Sequence, residues 1–459
     1  MLKTDPALDA RALLSATDRV FALSAAKIVG LHQRWNPAHG TPVFTVEGRY
    51  SSRGWTEWTQ GFQFGAAILQ FDAGGDARFL DIGRRATVER MASHLTHVGV
   101  HDHGFNNVST YGNLLRLMHE GRLEADPWQR AFYELALKAS GAVQAARWTR
   151  LGPDRGYICS FNGPQSLFAD TIRSLRALAL AHQLGHVLMG EGDRPVSLLA
   201  RLLQHADATA QWNVYFGKGR DAYDVRGRVA HESIFNLNDG AYRCPSTQQG
   251  YSPFSTWTRG LAWIVCGYAE QLEFLSHLTD AAFAGLGDRR ETVARVREVA
   301  EATADFFVRN TPTDGVPYWD TGAPGLARLG DYLSRPAEPF NDHEPVDSSA
   351  AAIAAQGLLR LGNWLSTHGE RDRAHAYRQA ALTVARTLFA EPYLSTDPAH
   401  EGLLLHAVYH RPNGWDHVPA GRKVPCGESC LWGDYHLLEL ALMIRREAQG
   451  APYYRFFLD

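Results

Sequence analysis

Residues 7–35 read ALDARALLSATDRVFALSAAKIVGLHQRW, rich in Ala and Leu, with no Pro and no Gly before Gly30. Such a run predicts a helix. The same signal returns down the chain. Val293, Val296, Ala300 and Phe307 recur at helical spacing while Arg295, Arg297, Glu298 and Glu301 fill the other faces. Helices are expected over 8–35, 56–73, 76–96, 106–121, 127–148, 165–190, 194–210, 254–276, 288–309, 347–367, 371–390 and 428–448. Strand signals are short and isolated: GYICSF (156–161), NVYFG (213–217) and LLLHAVYH (403–410). A parallel α/β barrel fits that pattern badly. About twelve helices, with no flexible linker between them, predict an all-α chain of one domain over 1–459, an (α/α)6 toroid around a central cavity. Two long stretches, 211–253 and 310–346, are dense in Gly, Asp, Asn and Pro. They also carry many aromatics, which predicts ordered, functional loops.

The 459 residues hold 46 Lys and Arg against 49 Asp and Glu, so no basic excess exists to neutralise a phosphate backbone. A dedicated nucleic-acid partner is therefore not expected. No apolar run reaches the ~20 residues that span a bilayer, so no membrane partner is expected either. The opening residues lack the apolar core of a signal peptide. Five cysteines, without a second pair to complete a zinc site, read as reduced thiols and a cytoplasmic location.

Four polar clusters and a large aromatic stock carry the chemistry. The tryptophans at loops and helix starts are Trp55, Trp58, Trp257, Trp263, Trp319, Trp415 and Trp432. Their faces stack on sugar C–H surfaces, although core packing uses the same residues. VGVHDHGFNN places His101, Asp102 and His103 before a helix, where an Asp is often only a cap. SLFADTIRSLRALALAHQLGH sets Asp170 within a strongly apolar helix, either solvated at a rim or desolvated with a raised pKa. QQGYSPFSTWTRGLAW brings Gln249, Arg259 and Trp263, the last two sharing a helix face. CGESCLWGDYHLLEL adds Glu428, Trp432 and Asp434. His182 and His186 have metal spacing but lack the zinc-protease Glu between them, and neither a phosphate loop nor a GxSxG elbow is present.

At these residues the chain resembles glycoside hydrolase family 88, the unsaturated glucuronyl hydrolases, from about 55 to 440. EWTQGF looks like the family's EWTDGFW and sets Trp58 at a sugar-stacking position. HDHGF resembles HD-x-GF, with Asp102 as the first aspartate. FADTIRSL lies where the family has its second, so Asp170 takes the acid/base place. His205 in QHADATAQW is matched to the active-site histidine. QGYSPFSTWTRGLAW is similar to QGYS-x-x-S-x-W-x-RGQAW, which gives Gln249, Arg259 and Trp263. The resemblance implies an (α/α)6 barrel and no metal or organic cofactor. It implies hydration of a C4=C5 double bond at the end of a lyase-derived oligosaccharide, with Asp102 raising the pKa of Asp170. The expected partner is that oligosaccharide, bound by a monomer or small homo-oligomer.

Three departures stand out. His103 replaces an aliphatic residue and, as a cation, would act on Asp102. Phe161 takes the place of a second stacking tryptophan, and the segment between His205 and Gln249 is long. The alternatives are a family 105 type unsaturated rhamnogalacturonyl hydrolase, a sugar 2-epimerase, and an inactive carbohydrate-binding homologue.

Overall fold

The computed structural model describes residues 1–54, 57–124 and 126–457, so Trp55 lies outside the described residues. Among these, twelve helices build the fold: α1 (Leu14–Arg34), α2 (Gln60–Gly74), α3 (Ala77–Arg90), α4 (103–119), α5 (Pro127–Ala146), α6 (171–183), α7 (Leu198–Trp212), α8 (Thr258–Ser276), α9 (Arg289–Arg309), α10 (Ser348–Thr367), α11 (Arg371–Leu388) and α12 (Leu431–Ala448). α4 is interrupted by a π turn at Val108–Gly112, and α6 joins Thr171–Ser174 to Arg176–Gln183.

Each even-numbered helix packs on the next, and α12 closes onto α2. That closed ring of six is lined outside by the odd-numbered helices, the expected (α/α)6 arrangement. Burial follows the layering. α10 is buried almost throughout, whereas α9 and α11 bury one stripe and expose charged residues on the other. Glycines let the inner helices touch. A Cβ on Gly104 of α4 would lie 2.2 Å from the Ser174 carbonyl oxygen, and one on Gly357 of α10 would lie 2.6 Å from the Cys266 nitrogen. Below the cavity the ring is tied by buried charge: Arg173 of α6 reaches Glu270 of α8 at 2.8 Å and Glu439 of α12 at 3.2 Å.

Helix boundaries differ where apolar residues belong to other elements. The expected helix over 165–190 begins only at Thr171, because Ser166–Phe168 pairs antiparallel with Glu232–Phe235. A strand buried on both faces gives the same unbroken apolar run as a buried helix. Asp170 thus stands at the mouth of α6 and not inside it. Likewise Arg194–Val196 is a strand, and α7 starts at Leu198, capped by Ser197. The stretch 211–253 is not all loop, since Glu232–Phe235 and Tyr242–Ser246 complete a three-stranded sheet with Ser166–Phe168. No helix among the described residues is long and apolar enough to cross a membrane.

Candidate active site

The segments entering the inner helices meet at one end of the ring around a cavity of about 420 Å³. Trp58 comes just before α2, Asp102 before α4 and Asp170 before α6; Trp257 and Arg259 open α8, and Trp432 lies in the first turn of α12. Helix N-termini carry partial positive charge, so this mouth favours an anionic ligand.

Asp102 and Asp170 occupy cap positions, yet neither carboxylate bonds to the helix behind it. The capping role is therefore excluded for both. They face each other across His101, whose Nε2 lies 3.3 Å from Asp170 Oδ2 and 3.7 Å from Asp102 Oδ1. Asp170 Oδ1 is buried without a hydrogen-bond partner. Burial alone would push the Asp170 carboxyl up, but the charge and hydrogen bond of His101 outweigh it and hold the group below its ordinary value. Burial raises Asp102 instead, with the Asp170 charge adding to it against His101. His101 is itself raised, since the two carboxylates overcome its burial. The expectation that Asp102 raises Asp170 is corrected: His101 sits between them and lowers Asp170, and Asp102 is the raised acid. The ligand atoms of the three side chains all lie within 4.8 Å of one another, close enough for one proton to be shared among them.

Aromatic rings wall the cavity. Trp58 stacks on Trp432 at 5.0 Å, Trp263 packs against Phe105 at 4.8 Å, and Tyr409 meets Trp415 at 5.3 Å. Phe161 lies parallel to His101, 7° between planes and 6.2 Å apart. Trp58, Phe161, Gln249, Arg259 and Trp263 all line the cavity with the two aspartates, as the sequence grouped them. Arg259, however, stacks between Trp257 and Trp432, at 4.6 and 4.8 Å from the ring centres, and not on Trp263. Its terminal nitrogens donate to Asp347 Oδ2 (3.1 Å), Gln249 Oε1 (2.7 Å), the Tyr409 carbonyl (2.8 Å) and the Val408 carbonyl. It braces the wall more than it reaches from it.

His205 is not on the cavity wall. It sits on outer helix α7 and accepts from the Ile158 N–H at 3.0 Å, its imidazole held neutral by burial, down to about 3. His231, which the sequence reading passed over inside a long loop, stands as His205 does, off the cavity lining but within reach of the Asp170 charge, and among the described residues the lining histidines are His97, His101 and His410. His231 Nδ1 accepts from the Gln248 N–H at 3.1 Å, its ring lies 4.6 Å from Trp257, and its Nε2 is buried without a partner. VAHESIF (229–235), an apolar segment with one histidine, was the available signal. His103 faces away from Asp102. It bonds Ser140 Oγ at 3.1 Å and the His97 carbonyl at 3.0 Å, and burial lowers it to about 4, so it is neutral. The last cluster is structural: Asp434 accepts from Tyr50 Oη and the Leu403 and Leu404 N–H groups, and Glu428 accepts from Thr45 and Gly48.

The chain is 27% identical over 410 residues to the unsaturated glucuronyl hydrolase of Bacillus sp. strain GL1, covering 87% of this chain and 89% of that one. The resemblance is to unsaturated glucuronyl hydrolases. An unsaturated chondroitin disaccharide hydrolase of Streptococcus pyogenes serotype M1 is 26% identical over 427 residues, 89% of this chain and 86% of that protein. The crystal structure of the Bacillus sp. GL1 unsaturated glucuronyl hydrolase superposes with a TM-score of 0.69 at 23% identity, covering 94% of this chain and 97% of that one. That likeness carries the fold. No protein-family model matches the chain.

Proposed function

We propose that this chain is a hydrolase of oligosaccharides ending in a 4,5-unsaturated uronic acid, the sugar left by polysaccharide lyases. The observation that carries the reading is the pair of buried carboxylates bridged by His101 inside an aromatic cavity, in a chain similar over most of its length to enzymes named for that activity. The unsaturated ring is a vinyl ether. Asp170 protonates C4 and water adds at C5 with Asp170 as base; the hemiketal then opens and expels the remaining sugar. This is hydration, so the carboxylate spacing that separates retaining from inverting glycosidases does not govern it. Asp102 holds the ring hydroxyls. Trp58 and Phe161 form stacking walls, and Trp263 closes the floor.

The substrate carboxylate meets the helix N-termini and Gln249. Arg259 donates to Gln249 Oε1, which leaves the amide NH2 as the half that turns to a ligand. His205 and His231 each accept a backbone N–H at Nδ1, so each neutral ring carries its proton on an Nε2 that is buried without a partner near Asp170. The residues form one barrel unit, and five free cysteines fit a reducing cytoplasm.

The test is incubation of the purified chain with unsaturated disaccharides made by glycosaminoglycan, gellan and pectin lyases, following the ultraviolet absorbance of the double bond. Loss of absorbance with glucuronate-type disaccharides supports the reading. Loss confined to pectin-derived disaccharides moves it to the rhamnogalacturonyl type, and no loss with any overturns it.

A further inference from the structure

We propose that His101 is a positioning residue that stores the catalytic proton: its Nε2, set between Asp102 and Asp170, passes a proton to Asp170 Oδ2 for the protonation of C4 and recovers it once water has added. The inference rests on the hydration reading above and adds a group to it. It begins from a conflict. An acid that protonates carbon must hold a proton, yet Asp170 Oδ2 lies 3.3 Å from His101 Nε2, a basic group that draws the proton away from it.

The geometry resolves the conflict. The ionic pair, His101-H⁺ with Asp170⁻, and the neutral pair, His101 with Asp170-H, hold the same proton along one 3.3 Å contact. Solvation by water supports an ionic pair, and a sugar that displaces solvent on binding favours the neutral pair. The imidazole is flanked by Phe161, parallel at 6.2 Å, and by Phe168, edge-on at 5.6 Å, while the His101 backbone carbonyl accepts from Gln144 Nε2 at 2.7 Å. It is a side chain only 2% exposed. The charged and titratable groups facing it are Asp102, Asp170, Arg147, His205 and His231. Burial keeps the last two histidines neutral, so they do not compete for its proton near pH 7.

The steps balance. The Nε2–H bond breaks as the Asp170 O–H bond forms; that O–H bond then breaks as the C4=C5 electron pair forms C4–H, leaving an oxocarbenium at C5. Water adds at C5, its proton goes to Asp170, and Asp170 returns it to Nε2. The net change is one water added to substrate and none to the protein.

The test uses His101→Gln, which keeps a hydrogen-bonding amide but cannot ionise. We expect kcat to fall by about 10²-fold with KM within about threefold and melting unchanged within a few degrees. The alkaline limb of kcat is expected to move at least about one pH unit toward acid, because Asp170 must then hold the proton alone. An unmoved limb overturns the proposal and leaves His101 structural. Imidazole NMR titration of the full chain provides a readout without turnover: the His101 pKa should fall by about one unit in Asp170→Asn. A titration that Asp170→Asn leaves unmoved overturns the shared proton even if the wild type is active. A wild type that consumes no unsaturated disaccharide overturns the hydration reading and the transfer with it, whereas the titration still reports whether the proton is shared.

Discussion

Asp170 meets two demands in one carboxylate: Oδ2 takes part in the His101 contact, and Oδ1 is buried without a partner. Asp170→Asn is isosteric and cannot cycle a proton, so steady-state kinetics should show a loss of at least ~10²-fold with substrate binding retained. A variant keeping a tenth of the activity would remove Asp170 from the acid/base role. His103 makes the opposite prediction. It is neutral and turned toward Ser140 and the His97 carbonyl. His103→Leu should leave the shape of the pH–rate profile unchanged and lower stability by about 1–3 kcal/mol in denaturant unfolding, because the buried Ser140 hydroxyl and the half-buried His97 carbonyl lose a partner. At this scale the sequence was readable where one residue type serves one chemistry. Both aspartates, Gln249, Arg259 and the aromatic walls do meet at the cavity. It was unreadable where the choice lay between like residues: of twenty histidines, only the packing shows that His97, His101 and His410 line the cavity while His205 and His231 stand behind it.

The two aspartates are only as well placed as the helices they precede. α4 and α6 approach so closely at Gly104 that a methyl there would meet the Ser174 backbone, and the Gly104 N–H also donates to Ser174 Oγ at 2.8 Å. Gly104→Ala must therefore push the helices apart and change the Asp102–Asp170 spacing. We expect a loss of more than ~10²-fold in kcat/KM and about 1–3 kcal/mol of stability, measured by kinetics and denaturant unfolding. Unaltered kinetics would show that the spacing is set elsewhere. The long helices were legible from periodicity, α9, α10 and α11 to within two residues at each end. The short entry segments were not. Ser166–Phe168, Arg194–Val196 and Glu232–Phe235 pair with partners remote in sequence or lie at helix mouths, where no local period distinguishes strand from helix.

Across the whole molecule the barrel encloses many histidines in neutral form. Burial lowers His94 and His103 to about 4, and His205 and His436 to about 3. Unfolded, each binds its proton near ~6.5. Between those values the unfolded chain holds more protons than the folded one, so stability present above pH ~6.5 is lost as pH falls toward 4. Melting followed by circular dichroism should fall by at least about 5 °C from pH 7 to pH 5; a constant melting point would contradict the buried neutral histidines. The number of helices gave the toroid from sequence, whereas the buried charge beneath the cavity was not legible, because Arg173, Glu270 and Glu439 come from three distant helices. The reaction is decided by where the first proton goes. Proton NMR of the wild-type reaction in D2O with an unsaturated glucuronyl disaccharide follows that directly. The account predicts that the vinylic C4–H signal disappears in step with release of the second sugar, with one deuteron delivered to C4. Release of the second sugar while the vinylic signal persists would show displacement at the anomeric carbon and contradict it.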